Sequence, residues 1–182
     1  MVVHLIYETH SRTVDNELGI ATGWLPGELS ASGRDFAMEL GKRWHETELA
    51  AVYTSDLRRA VQTADIAFAH GGVPVISDGR LRECNYGALN GMPVVRLEAE
   101  RAQHIDTSYP DGQSYRQVVD QMRSFLRDVA PRHQNQTILL IAHSANRWAL
   151  QCLLEGRTLE ALLAAPFDWQ PGWRFTVRDT WS

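Results

Sequence analysis

Lysine is almost absent from this sequence. Lys42 is the only one among 18 lysine and arginine residues, so the other seventeen are arginines. The basic residues form no run, and the formal net charge is -4. A nucleic-acid-binding surface needs a basic patch or stripe, so this charge pattern argues against nucleic acid as a partner. A GC-rich coding bias is the simplest explanation of the arginine preference, and only arginines inside motifs are evidence of function.

Long apolar runs are absent as well. No stretch approaches the ~20 apolar residues that a membrane-spanning helix needs, and no cationic segment followed by a long apolar run marks a signal peptide. We therefore expect a cytoplasmic protein without a membrane partner. The two cysteines, Cys84 and Cys152, lack the spacing of metal ligands, and a disulfide is not expected in that compartment.

Two common catalytic patterns are also missing. The sequence has no G-x-S-x-G elbow, so Ser11 and Ser144 are not expected to be hydrolase nucleophiles. No pair of candidate ligands has the helical or knuckle spacing of a zinc site. We therefore expect no metal and no other cofactor.

Alternating apolar runs and amphipathic segments fill the chain. Its 182 residues fit one domain, 1–182, with a sizeable core. Strands are predicted at residues 2–7, 50–55, 73–77, 137–143 and 172–177. Helices are predicted from a cap at Ser30 or Ser32 to about Glu48, and at 57–70, 114–130 and 145–155, whereas 81–93 is predicted to be irregular. This alternation is typical of a three-layer α/β/α sandwich with a mainly parallel sheet.

Two of the predicted strands run directly into a histidine that is followed by serine. The first ends in "THS", with His10, and the fourth ends in "AHS", with His143. In open α/β sheets, ligands bind beyond the carboxyl ends of the strands, near the N-termini of the following helices. We therefore expect both imidazoles to project into one crevice.

Five segments carry a family resemblance. They are "THSRTVDN" (9–16), "TSDLRRAVQTA" (54–64), "LRECNYGALNG" (81–91), "YPDGQSY" (109–115) and "AHSANRWAL" (142–150). In order and spacing they resemble the motifs of the histidine phosphatase superfamily, the phosphoglycerate mutase-like proteins. Each motif alone is weak, but five in order span most of the chain. The resemblance implies a phosphoglycerate mutase-like fold and a phosphohydrolase activity.

The sequence departs from the family pattern at five positions. The family's motif arginine is Thr9, the glycine after the nucleophile is Ser11, and the glutamate that follows is Arg12. The loop glutamate is Gln113, and the glycine after the second histidine is Ser144. Four of the five core catalytic positions remain, and the fifth, an arginine, is lost.

The resemblance implies a mechanism through a phosphohistidine. His10 would attack phosphorus in its neutral form, and a covalent intermediate splits one hard displacement into two easier ones. Arg59 and His143, the latter as an imidazolium, would stabilise charge on the phosphoryl oxygens, which makes a metal unnecessary. Backbone N–H groups near Ser144 and Ala145, at a helix start, would add to this stabilisation.

The resemblance also gives roles to residues around this centre. Glu83 would be the general acid, which requires a raised pKa. Asn16 would add a donor to the phosphate. Since Thr9 cannot replace a guanidinium, we hypothesise that Arg12 reaches back and contacts the phosphate. The alternative is that Arg12 faces solvent or pairs with a neighbouring carboxylate.

Plainer interpretations remain open for several of these residues. Glu83 follows Arg82 and could be one half of an ion pair, and Trp24 is either packing or a pocket wall. The remaining histidines lie outside any motif and are expected to be structural or solvated: His4, His45, His70, His104 and His133.

The preferred function is a metal-independent phosphomonoesterase acting on a small phosphorylated metabolite. The first rival is a phosphate-binding pseudoenzyme that lost turnover with the motif arginine. The second is a phosphomutase, which is disfavoured because residues 84–113, thirty in all, leave little room for an enclosing lid. The sequence does not choose between a monomer and a homodimer.

Overall fold

A five-stranded sheet forms the centre of the protein. The computed structural model describes residues 2–178, and within them the strands are β1 (Val2–Thr9), β2 (Ile20–Ala21), β3 (Ala51–Thr54), β4 (Val75–Ser77), β5 (Met92–Pro93), β6 (Thr137–Ala142) and β7 (Trp173–Arg178). The central sheet has the order β4-β3-β6-β1-β7, while β2 and β5 form a separate two-stranded sheet. All pairings in the central sheet are parallel except that of β7, which runs antiparallel to β1.

Helices cover both faces of this sheet. They are α1 (Val14–Glu17), α2 (Ala31–Trp44), α3 (Arg58–Phe68), α4 (Val94–Glu100), α5 (Tyr115–Val129), α6 (Ser144–Glu155) and α7 (Leu159–Ala164). One face packs against α2 and α3, with Ile6 of β1 meeting Leu40 and Trp44. On the other face Leu5 and Tyr7 belong to the larger core, to which α5, α6 and α7 contribute. The predicted α/β/α sandwich with a mainly parallel sheet is confirmed.

The burial of each strand explains its position in the sheet. β6, the apolar run "TILLIA", is buried at all but its first residue, as expected for a parallel strand covered on both faces. The edge strand β7 alternates buried and exposed residues, so only one of its faces meets the core. Because β1 and β6 lie side by side in parallel, their carboxyl ends meet at the same edge of the sheet.

The long helices begin at the residues that the sequence indicates. Ser30 caps α2, since its hydroxyl accepts from the backbone N–H of Gly33, whereas Ser32 lies inside the helix. This helix ends at Trp44, earlier than the predicted Glu48. Ser114 caps α5 through a reciprocal capping box with Gln117.

Several short elements were not predicted. The segment expected to be irregular holds two single-turn 3₁₀ segments, Gly79–Leu81 at its start and Gly87–Leu89 further on, and runs into β5. The helices α1, α4 and α7 are four to seven residues long, too short to show a clear hydrophobic period. Within residues 2–178, no helix has the length and apolar character needed to cross a membrane.

Candidate active site

The two strand-end histidines meet at the carboxyl edge of the sheet. His10 follows β1 directly, and its backbone N–H donates to the carbonyl of Ala142, the last residue of β6, at 2.9 Å. His143 follows β6 and stands at the N-cap of α6. Their ring centroids are 5.0 Å apart, with an angle of 54° between the ring planes. The adjacency of the two strands thus brings together imidazoles that are 133 residues apart in sequence.

His10 is held as a neutral imidazole whose Nε2 is unprotonated. Its Nδ1 lies 2.7 Å from the carbonyl oxygen of Ser11, which can only accept, so Nδ1 carries the proton. Nε2 accepts from Nε of Arg59 at 3.3 Å. Burial and the nearby charge of Arg59 lower the pKa of His10 to about 3. The ring is therefore neutral at neutral pH and leaves Nε2 unprotonated, as a nitrogen nucleophile must be.

Arg59 is the buried cation of this site. It lies in the first turn of α3 and is 2% exposed. Its guanidinium donates to the carbonyl oxygen of Gly23 at 2.8 Å and to that of Leu25 at 3.3 Å, besides the contact with His10. No carboxylate among residues 2–178 forms an ion pair with it, so its charge remains available to an anion. The position matches the phosphate-clamping role that the family resemblance implies.

Glu83 lies buried against the start of α6. One carboxylate oxygen accepts a hydrogen bond from the backbone N–H of Cys84 at 2.8 Å. The backbone N–H groups of Ser144 and Ala145 also donate to the carboxylate. Burial raises the pKa of Glu83 despite these hydrogen bonds and the charge of Arg59. A raised pKa suits a general acid. The ion-pair alternative is not realised, because Arg82 pairs with Asp56 instead, at 2.6 Å.

The surroundings of His143 favour a neutral ring, whereas the family resemblance implies an imidazolium. Burial, followed by the charge of Arg59, lowers its pKa well below the usual value. Its Nε2 lies 2.7 Å from the hydroxyl of Ser55, and its backbone carbonyl accepts from the hydroxyl of Tyr7. The positive charge of the site therefore comes from Arg59.

Three positions of the first motif lie less centrally than expected. Arg12 is exposed, and its guanidinium carbon lies over the ring of Phe36, 5.4 Å from the centroid. Asn16 is exposed and uses its side-chain oxygen to cap α1, accepting from Thr13 N–H at 3.0 Å. Thr9 is the last residue of β1 and pairs with Ala142. The geometry thus favours the alternative in which Arg12 faces solvent. In Asn16 the side-chain oxygen is already engaged, so only the amide nitrogen can donate to a phosphate.

The structure adds positioning residues that the sequence argument did not single out. Thr63, within the second motif, donates to the Arg59 carbonyl at 2.7 Å and accepts from Ser11 N–H at 3.0 Å. Asn146 accepts from His143 N–H at 3.1 Å and donates to the carbonyl of Arg82 at 3.2 Å. Both are fully buried. Their place inside matched motifs was the only available signal, since these contacts join segments distant in sequence.

Trp24 joins the two halves of the site. The backbone carbonyls of the two residues beside it, Gly23 and Leu25, accept hydrogen bonds from Arg59. The indole N–H of Trp24 donates to the backbone carbonyl of Glu83 at 2.6 Å. Its ring is covered by the Arg82 guanidinium at 4.5 Å. Trp24 therefore connects the segment that holds Arg59 to the backbone of Glu83, a position consistent with the wall that the sequence left open.

Trp24→Phe should reduce kcat/KM by about three- to tenfold. The change keeps an aromatic ring, although a smaller one, and removes one hydrogen bond, whose net worth is ~0.5–1.5 kcal/mol. The loss should be larger for alkyl than for aryl phosphates, because Glu83 matters most when the leaving group needs a proton. Trp169→Phe, at a ring 53% exposed, is the matched control. Unchanged kinetics in Trp24→Phe would show that this bond positions nothing.

Arg12→Ala should keep activity within about twofold. Arg12 contacts Phe36 on the surface of α2, so its removal leaves the phosphate clamp intact. Steady-state kinetics on one phosphate ester checks this, with Arg58→Ala, which breaks an exposed pair with Glu28, as the control. Loss of most activity in Arg12→Ala alone would restore the hypothesis that Arg12 replaces the missing arginine.

Comparison with known proteins identifies relatives along most of the chain. The family model described as "Histidine phosphatase superfamily (branch 1)" matches residues 9–170. Two proteins of Hydrogenobacter thermophilus are similar to this chain. Phosphoserine phosphatase 1 is 29% identical, and the match covers 85% of this chain and 77% of that protein. Putative phosphoserine phosphatase 2 is 31% identical, and the match covers 84% of this chain and 79% of that protein. The solved structure of Bacillus stearothermophilus YhfR matches this chain with a TM-score of 0.81 at 27% identity. The match covers 93% of this chain and 88% of the YhfR chain.

Proposed function

Because the chain belongs to the histidine phosphatase superfamily, we propose that it is a metal-independent phosphomonoesterase that uses His10 as its nucleophile. Its substrate is a small phosphorylated metabolite. The observation that carries the proposal is the lone pair of His10 Nε2, held beside a buried guanidinium and a second neutral imidazole.

In the first step, Nε2 of His10 attacks phosphorus. The N–P bond forms as the ester P–O bond breaks, and the leaving oxygen takes the proton of Glu83, so an alcohol departs. The Nδ1–H of His10 stays bonded to the Ser11 carbonyl, which stabilises the positive charge that the ring acquires. Arg59 stabilises the charge on the phosphoryl oxygens from a buried position, where an electrostatic interaction is stronger than in water.

In the second step, water attacks the phosphohistidine. Glu83, now a carboxylate, takes a proton from the water, the N–P bond breaks, and inorganic phosphate leaves with His10 neutral again. The same carboxyl group thus serves as acid and then as base. Its burial against the start of α6 supports the first role by raising the pKa, and the N–H groups of Ser144 and Ala145 support the second by accommodating the carboxylate.

A screen of phosphorylated metabolites tests the proposal. Purified protein should release inorganic phosphate from at least one small phosphate ester in the presence of a metal chelator. O-phosphoserine belongs in the panel because two relatives are named phosphoserine phosphatases. The His10→Ala variant is the control for contaminating phosphatases. Absence of turnover across the panel would contradict the proposal.

One observation favours the rival function, a phosphate-binding pseudoenzyme. Thr9 replaces the family's motif arginine, and Arg12 lies over Phe36 on the surface, so Arg59 is the guanidinium that contacts His10. Calorimetric titration with inorganic phosphate separates the two functions when run beside the activity screen. Tight phosphate binding without turnover of any ester would establish the rival.

A further inference from the structure

His143 has one ring nitrogen without a partner. The side chain is 1% exposed, and Nδ1 is a buried polar atom with no hydrogen bond to any group within residues 2–178. Its other nitrogen, Nε2, lies 2.7 Å from the hydroxyl of Ser55. A neutral imidazole carries its proton on one nitrogen only, and the hydrogen bond made by one nitrogen decides the state of the other. The chemistry that Nδ1 offers is thus set by Ser55.

The hydrogen bonds of Ser55 favour one direction for its bond with His143. Its hydroxyl has one proton to give and two lone pairs. The backbone N–H of Leu57 already donates to Oγ, at 3.3 Å. If His143 Nε2–H also donated to Oγ, the proton of this fully buried hydroxyl would have no acceptor within the described residues, and an unsatisfied buried donor costs about 1–3 kcal/mol. If Ser55 donates to Nε2, the hydroxyl is satisfied on both sides, and only the Nδ1–H of His143 lacks a partner. The other arrangement leaves two groups without partners, the hydroxyl proton and the Nδ1 lone pair.

We propose that Ser55 is a positioning residue that holds His143 as the Nδ1–H tautomer, so that His143 serves the phosphoryl group as a neutral hydrogen-bond donor. The proposal rests on the proposed function for its kinetic part, whereas the tautomer itself is a property of the free protein. With the ring of His143 5.0 Å from that of His10, the Nδ1–H group would be the donor that His143 offers to a phosphoryl group bound at His10.

This arrangement has a consequence for a site that lacks the family's motif arginine. A neutral donor works only when the proton is on the correct nitrogen, whereas an imidazolium donates from both. Burial and the charge of Arg59 lower the pKa of His143, so these surroundings favour its neutral form. The hydroxyl of Ser55 therefore decides whether His143 contributes at all.

Ser55→Ala removes the hydroxyl that fixes the tautomer. Loss of one preorganised donor costs up to about 10²–10³ in kcat, and since His143 still samples the correct tautomer in the variant, we expect a fall in kcat of about 10- to 100-fold. KM should change little if the bond strengthens mainly in the transition state. Ser55→Thr, which keeps the hydroxyl, should retain most of the activity, and Ser55→Cys, a weak donor, should lie between.

Thr54→Val is the matched control. Thr54 precedes Ser55, is equally buried, and has a hydroxyl without a hydrogen bond to any described residue, so the substitution removes a neighbouring hydroxyl without touching His143. Its kcat should remain within about twofold of the wild type. A fall equal to that of Ser55→Ala would mean that packing at the end of β3, and not the bond to His143, is responsible.

Nitrogen NMR of the His143 ring tests the tautomer without any turnover. In ¹⁵N-labelled wild-type protein near pH 7.5, the shifts should show a protonated Nδ1 and an unprotonated Nε2, and in Ser55→Ala they should move toward the Nε2–H form. A wild-type spectrum with a protonated Nε2, or Nδ1–H shifts unchanged in Ser55→Ala, would overturn the proposal. If the wild type shows the Nδ1–H tautomer but hydrolyses no ester, the proposed function fails and the assignment to Ser55 stands.

Discussion

His10→Ala should lose at least about 10⁴-fold in kcat for every phosphate ester that the wild type hydrolyses. The variant lacks the only nitrogen that the mechanism uses as a nucleophile, and removal of a covalent nucleophile from a hydrolase typically costs several orders of magnitude. Phosphate release measured over hours, with highly purified protein, is sensitive enough to quantify the residual rate.

The control for this variant is His4→Ala. His4 lies on the same strand, β1, but its side chain is exposed, far along the strand from the carboxyl edge of the sheet. It should keep wild-type kinetics, and both variants should keep the wild-type circular dichroism spectrum. Substantial turnover in a folded His10→Ala variant would rule out the phosphohistidine mechanism.

Glu83→Gln should reduce kcat/KM for alkyl phosphates, which reports the first step, by ~10²–10⁴, the usual range for a general acid. Aryl phosphates should suffer far less in the first step, because their leaving groups need little protonation. Glutamine is nearly isosteric and keeps an oxygen that can accept from Cys84 N–H, so the loss reports the proton and not the packing. A paired comparison of one alkyl and one aryl ester measures this.

The pH dependence of kcat gives a second measure of Glu83. Since burial raises the pKa of Glu83 and the acid is active when protonated, wild-type turnover of an alkyl ester should fall as pH rises through that pKa. His10 should add no acidic limb near pH 6.5, because its pKa is lowered to about 3. Equal losses in kcat/KM for alkyl and aryl esters in Glu83→Gln would assign Glu83 a structural role, since kcat/KM does not include the shared second step.

The main features of the fold could be predicted because they depend on local pattern. The apolar run of β6 identifies a strand covered on both faces, and Ser114 with Gln117 identifies the start of α5. The position of His10 and His143 at the ends of two strands was enough to predict that they meet, since carboxyl ends of parallel strands lie at one edge. Short elements such as α4 escaped prediction because seven residues carry too little periodicity.

The environment of the site residues could not be predicted in the same way. The charge state of His143 depends on burial and on Arg59, which reaches it from another element. The orientation of Arg12 depends on Phe36, a surface residue of α2 that no motif includes. The bond from Trp24 to the Glu83 carbonyl joins residues 59 apart in sequence, and no spacing rule anticipates it. Local sequence thus placed the reactive groups, while their protonation and orientation required the tertiary structure.

Trapping of the phosphoenzyme tests the central claim most directly. Protein mixed with a hydrolysable ester is quenched within milliseconds in alkaline denaturant, because phosphohistidine is lost in acid, and is then mapped by mass spectrometry. The account predicts a transient phosphate on His10, present in the wild type, absent from His10→Ala, and longer-lived in Glu83→Gln with an aryl ester, because the second step lacks its base. Phosphate found on Ser11 or Ser144, or turnover with no phosphorylated protein at any time, would contradict it.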